Sequence, residues 1–151
     1  SGSEEVAGNE AFKALRGRVD FVFTSPPYFS AEIYSDEATQ SSIKYKEYAS
    51  WRDQFLRPTL KTCVDWLRRD RYLAFNIADI NVGSTQYPLE ADTVAILTEL
   101  GMKYEGKLKM VLAIAPSMQI KRETGQPTAK NYCKINGKWR KFEPIFLFRK
   151  G

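Results

Sequence analysis

The sequence predicts an α/β fold: a mostly parallel sheet whose last strand runs antiparallel, with helices between its strands. Three observations predict it. The runs Val19 to Phe23 and Tyr72 to Ile77 are rich in β-branched and aromatic residues and read as buried strands. Helical periodicity separates them and follows the second, and an order of strand, helix, strand, helix implies parallel pairing through right-handed crossovers. Two later strand candidates, Leu108 to Ala115 and Pro144 to Phe148, have no helical pattern between them. Strands joined without a helix pair antiparallel more readily, so the last strand is expected reversed.

Each element has its own local reason. Ala11 to Leu15 reads as the end of a short helix stopped at Gly17, just before the first strand. That strand breaks off at Thr24-Ser25-Pro26-Pro27-Tyr28, where two prolines lack the N–H a ladder needs and bias their predecessors away from helix. Phe29 to Tyr45 is polar and reads as a mobile, lid-like surface segment. From Lys46 to Arg69, apolar Tyr48, Trp51, Phe55, Leu60, Val64 and Leu67 recur at helical spacing, a core-facing stripe with Pro58 placed to kink or divide the helix. The polar group Asp79 to Ser84 closes the second strand. Pro88 opens a helix that presents Leu89, Ile96, Leu97 and Leu100 on one face and stops at Gly101. No internal repeat is present.

Composition bounds the function. A chain of 151 residues with 43% hydrophobic and 27% charged positions is of ordinary globular balance and of the size of one domain, 1–151. No apolar run approaches the roughly 20 residues of a membrane-spanning helix, and the N-terminus lacks the layout of a secretory signal. Lys plus Arg number 23 against 18 Asp plus Glu, a net charge of +5, which favours an anionic partner. With no histidine, triads and imidazole metal sites are excluded, and no metal is expected. Cys63 and Cys133 form no Cys-x-x-Cys pair and no disulfide framework, which fits a reducing, intracellular setting.

The chemistry concentrates at Thr24 to Tyr28. Thr-Ser-Pro-Pro-Tyr directly after a hydrophobic strand resembles the catalytic motif of the DNA amino-methyltransferases. Trp51 to Leu67 followed by Arg71 to Asn76 is similar to the helix and strand after that motif, and Phe142 to Lys150 to the family's closing strand. The resemblance implies a Rossmann-like methyltransferase sheet. It further implies S-adenosylmethionine as cofactor, DNA as partner, and a place in restriction-modification, in the cytoplasm and nucleoid or in a nucleus. By it Ser25, Pro26, Pro27 and Tyr28 are the catalytic residues: the Ser25 side chain and the Pro26 carbonyl accept hydrogen bonds from the target amino group, Pro27 fixes the turn, and Tyr28 stacks on the extruded base. Serine at the first motif position leans toward cytosine N4 over adenine N6.

The sequence also departs from this family. It lacks the Phe-x-Gly-x-Gly loop and the acidic strand end that bind the cofactor, and its glycines never form Gly-x-Gly. It reads as the catalytic half alone, a partial sheet of four strands where the family has seven. Ser25, Asn76 and Asp79 are the candidate cofactor contacts, strand capping and loop solvation being the competing account of the last two. The remaining cofactor half is then supplied by a second chain or a further segment. A compact variant with an unusual loop, or a catalytically inactive nucleic-acid-binding or scaffolding subunit, are the alternatives. The connection from Pro116 to Lys141 carries Lys121, Arg122, Lys130, Lys138, Trp139, Arg140 and Lys141, with Tyr132 and Lys134, a mixture suited to phosphate contacts and base stacking and expected to touch nucleic acid.

Overall fold

The computed structural model describes residues 3–29, 41–112 and 119–151. Asn9 accepts the Ala11 N–H on its side chain and so caps α1 (Glu10–Lys13); Gly17, at a φ of 61°, then turns the chain into β1 (Val19–Thr24). The short α2 (Ser41–Lys44) precedes one unbroken helical stretch made of α3 (Tyr48–Trp51), a π turn over Arg52–Leu56 and α4 (Arg57–Trp66). Pro58 therefore does not divide this helix. A proline ring crowds the carbonyl four residues earlier, and the wide turn, closed by the Arg57 N–H on the Arg52 carbonyl, absorbs the misfit.

Residues 67 to 69, expected in that helix, instead open β2 (Leu67–Asn76), because Leu67 pairs with Val19 on β1. Where only a polar loop was expected, β3 (Ile80–Val82) and β4 (Thr85–Tyr87) form a hairpin around Gly83. α5 (Leu89–Glu99) follows Pro88 as expected. β5 (Met102–Val111) begins well before Leu108; its alternating Lys103, Glu105, Lys107 and Lys109 hide the strand in the sequence yet suit a sheet edge. Residues 113–115 lie outside the described ones. β6 (Tyr132–Ile135) and β7 (Lys138–Lys150) form a hairpin across Asn136-Gly137, so the basic connection is part strand and the last strand is longer than Pro144 to Phe148.

The sheet order is β1-β2-β7-β5, with β6 on the start of β7. β1 and β2 are parallel, and β7 lies between β2 and β5 antiparallel to both. Every other strand of this sheet thus points one way, and the last strand alone is reversed, as expected.

One face of the sheet carries the core. Leu73, Phe75, Phe146 and Phe148 pack with Leu60 and Val64 of α4 and Leu89, Ile96 and Leu97 of α5 in a single cluster. The helical stripe is inside it, with Trp51, Phe55, Leu60, Val64 and Leu67 all buried. The ends of the supposed surface segment are inside it too: Phe29 and Tyr45 are 4% and 8% exposed, because aromatic rings at either end find the core, and residues 30–40 lie outside the described ones. The opposite face is largely open among the described residues, although Ala74 and Asn76 on it are buried. Phe21 and Phe23 of β1 remain 56% and 55% exposed, so this strand is buried on one face only, and Tyr72, Leu108 and Met110 are exposed beside it. Among the described residues no strand pairs with the outer edge of β1, and no helix is long and apolar enough to cross a membrane.

Candidate active site

The Ser-Pro-Pro-Tyr loop leaves the sheet at the C-terminal end of β1. Thr24 still pairs with Phe75; after it, Pro26 and Pro27 can donate no N–H, and pairing ends. The Phe29 N–H closes a tight turn on the Pro27 carbonyl at 3.0 Å, and Phe29 takes a left-handed φ of 49°. Its ring inserts among Tyr48, Trp51 and Tyr87, at centroid distances of 5.6, 5.8 and 5.3 Å. This aromatic anchor fixes the far end of the loop. Ser25 is left exposed, Pro26 is buried, and Tyr28 is half-buried on the wall of a cleft.

Asn76, the last residue of β2, holds the loop from below the strand ends. Its Nδ2 donates to the Pro144 carbonyl of β7 at 3.0 Å. Its Oδ1 accepts from the Ser25 hydroxyl at 3.3 Å and from the Tyr28 hydroxyl at 3.4 Å. A carbonyl can only accept, so the Pro144 contact fixes which way the amide faces. At 4% exposure, Asn76 belongs to the interior and is spent on these bonds.

The cleft has a volume of about 570 Å³; Tyr28, Asp79, Asn81, Lys130, Asn131 and Glu143 are among its lining residues. Its two walls are tied together by charge. Asp79 accepts the Glu90 N–H on Oδ1 at 2.8 Å, and Glu90 Oε1 accepts the Asp79 N–H at 3.3 Å, a reciprocal exchange at the start of α5. The Lys130 ammonium bridges Asp79 Oδ2 and Glu90 Oε1, and Asn131 Nδ2 donates to the same Glu90 oxygen at 3.0 Å. Partial burial alone would lower the Lys130 pKa; the hydrogen bonds to the two carboxylates outweigh it and hold the ammonium above its ordinary value.

Of the expected cofactor contacts, Asn76 and Asp79 are thus engaged internally, and Ser25 alone faces solvent. The expected nucleic-acid residues divide as well. Lys130 is committed to Asp79 and Glu90, whereas Lys121, Arg122 and Lys138 are exposed and make no ion pair among the described residues. Arg140 and Lys141 are half-buried, Lys141 on the cleft wall, and Trp139 donates its Nε1–H to the Gly125 carbonyl at 3.2 Å while Lys134 sits 5.5 Å from its ring centre. Residues 116–118 lie outside the described ones. Phe29, Glu90, Asn131 and Pro144 escape the sequence argument. Glu90 carries a weak signal, an acidic residue just inside a proline-led helix; a lone Asn131 carries none.

No protein-family model matches the chain. Over 88 residues it is 35% identical to the type II methyltransferase M.MjaVI of Methanocaldococcus jannaschii, a stretch covering 58% of this chain and 42% of that protein. Over that stretch the chain is similar to a type II methyltransferase. Two structures of TTHA0409 from Thermus thermophilus, a proposed DNA modification methylase, match 99% of the chain with a TM-score of 0.60 at 20% identity, and one is complexed with S-adenosyl-L-methionine. The match shows a shared fold, and the Rossmann-like sheet expected from the resemblance is the sheet observed. The chain spans 42% of its methyltransferase relative and about half of the TTHA0409 chain, 50% and 51% in the two structures.

Proposed function

We propose that this chain is the catalytic half of a DNA amino-methyltransferase that acts on the exocyclic amino group of an extruded base, cytosine N4 in preference to adenine N6. The observation that carries the reading is the loop itself: Ser25 exposed at a strand end, and Tyr28 lining a cleft large enough for a nucleobase. An exocyclic amine delocalises its lone pair into the ring and is a poor nucleophile while it stays planar. Ser25 Oγ and the Pro26 carbonyl, each accepting one amino hydrogen, would draw the nitrogen toward tetrahedral geometry and free the lone pair. Tyr28 would hold the base by stacking after it leaves the duplex. S-adenosylmethionine, held by the cofactor half, would supply the methyl group as a sulfonium, and the part of Ser25 and Pro26 would be to hold the amino nitrogen with its lone pair freed. The surplus amino proton would leave to water, to which Ser25 is exposed.

The residues present fit only one wall of a cofactor site. Asn76 and Asp79 are engaged within the chain, and there is no glycine-rich loop to approach a nucleoside. The open sheet face supports a partner for the rest. A sheet with parallel strands is ordinarily covered on both faces, and here Phe21, Phe23, Tyr72 and Leu108 are exposed beside a strand edge that pairs with no strand among the described residues. We read this face and edge as the seat of the cofactor half, whether a further segment or a second chain, and residues 1–151 as one catalytic unit built on one hydrophobic cluster. Lys121, Arg122, Lys138, Trp139, Arg140 and Lys141 are the proposed DNA contacts, in an intracellular, nucleoid-associated setting.

The test is methyl transfer from labelled S-adenosylmethionine to DNA by the assembly carrying both halves, with the product nucleoside identified by mass spectrometry. N4-methylcytosine is the expected product. N6-methyladenine would correct the base. An assembly that binds DNA and cofactor yet transfers no methyl group would make the chain an inactive binding subunit.

A further inference from the structure

We infer that Asn76 is a positioning residue that fixes the Ser25 hydroxyl as a hydrogen-bond acceptor for the target amino group and holds the Tyr28 ring in place; the inference rests on the methyltransferase reading of the loop. A serine hydroxyl has one proton and two lone pairs, and free in water it donates or accepts with equal ease. Only the accepting orientation helps an amino group whose hydrogens must be drawn away. Because Asn76 Nδ2 is bound to the Pro144 carbonyl, the amide presents its oxygen to the loop, and an oxygen takes only protons. Ser25 Oγ, 3.3 Å from Asn76 Oδ1, then spends its proton on the amide and keeps its lone pairs for the base. Tyr28 spends its phenolic proton on the same oxygen, which ties the rotation of the stacking ring to the orientation of the serine.

The placement makes this arrangement rigid. Asn76 ends a strand paired on one side with β1 and on the other with β7, so the loop before it and the Pro144 carbonyl beside it are both fixed by the sheet. The Ile77 N–H also donates to that carbonyl, at 3.4 Å, and secures the acceptor on which the amide depends.

A cycle of variants in the complete assembly tests the inference, read by single-turnover methyl transfer and by DNA affinity. Asn76→Leu should slow transfer about tenfold to a hundredfold, the scale of a slightly misplaced reacting group, with DNA affinity unchanged. In a background carrying Ser25→Ala and Tyr28→Phe, the same change should cost nothing further, because the groups it positions are gone. An equal loss in both backgrounds would show a merely structural residue and overturn the inference, as would full activity of Asn76→Leu beside a slowed Ser25→Ala. A full rate for Ser25→Ala would remove the methyltransferase reading of the loop and the inference with it. Should Asn76→Leu fail to fold, the side-chain amide resonances of Asn76 give an independent reading: they should shift in both Ser25→Ala and Tyr28→Phe, and fixed resonances would refute the bonds.

Discussion

Replacing Lys130 by methionine isolates what ties the two walls of the cleft together. The substitution keeps most of the side-chain volume and removes the ammonium that bridges Asp79 and Glu90, whose side chains are only 11% and 12% exposed. Hydrogen bonds to charged partners are worth about 1.5–3 kcal/mol, whereas exposed ion pairs are worth under about 1 kcal/mol. Lys130 is itself 50% exposed, so screening discounts the upper figure and a loss of about 1–2 kcal/mol is expected. In a chain of this size that lowers Tm by about 2–8 °C. The pH dependence has a definite sign. A lysine whose pKa is raised on folding contributes fully below its unfolded value of about 10.4 and loses that contribution as pH climbs through the raised one. Calorimetry should therefore find the Lys130→Met penalty constant from neutral pH to about pH 9 and shrinking above about pH 10.4. Lys121→Met, on an exposed lysine of the same connection, should shift Tm by less than a degree. Equal Tm values for the two variants would refute a structural tie through Lys130.

Three further outcomes follow from the same geometry. Ser25→Ala should cut turnover about 10²-fold or more at unchanged DNA affinity, while Tyr28→Ala should also weaken capture of the extruded base by about 1–3 kcal/mol, read with a fluorescent base analogue at the target position. Reversing the charge of Lys138, Arg140 and Lys141 should weaken DNA binding and flatten its salt dependence by about 0.9 per lost phosphate contact; an unchanged slope would place the DNA elsewhere. Cys63, buried and with its thiol pushed up to about 11 by that burial, should resist alkylation in the native protein while Cys133 reacts; mass-spectrometric mapping of the labelled cysteine checks the order.

Where the sequence predicts well, local pattern and tertiary demand agree. Trp51, Phe55, Leu60, Val64 and Leu67 repeat at helical spacing because one face of that helix meets the core, and Pro26-Pro27 ends a strand wherever it falls. The misses have physical causes. β5 alternates lysine with apolar residues because it is a sheet edge, so its first half looks like loop. The β6–β7 hairpin had a legible signal in Asn136-Gly137, whose backbone takes the left-handed conformation at φ values of 49° and 76°, but basic residues on both sides mask it. The motif loop was legible as a loop at a strand end. Its support by Asn76, Pro144 and Phe29 was not, because those contacts join residues far apart in the chain and depend on which strands become neighbours.

The most direct test of the catalytic reading is the structure of the complete assembly bound to its DNA with a cofactor analogue. The account predicts one extruded base in the cleft beside Asp79 and Asn131, its ring stacked on Tyr28 and its exocyclic amino nitrogen about 2.7–3.1 Å from both Ser25 Oγ and the Pro26 carbonyl oxygen. A target base seated in another pocket, with Ser25 and Tyr28 touching no nucleotide, would contradict it.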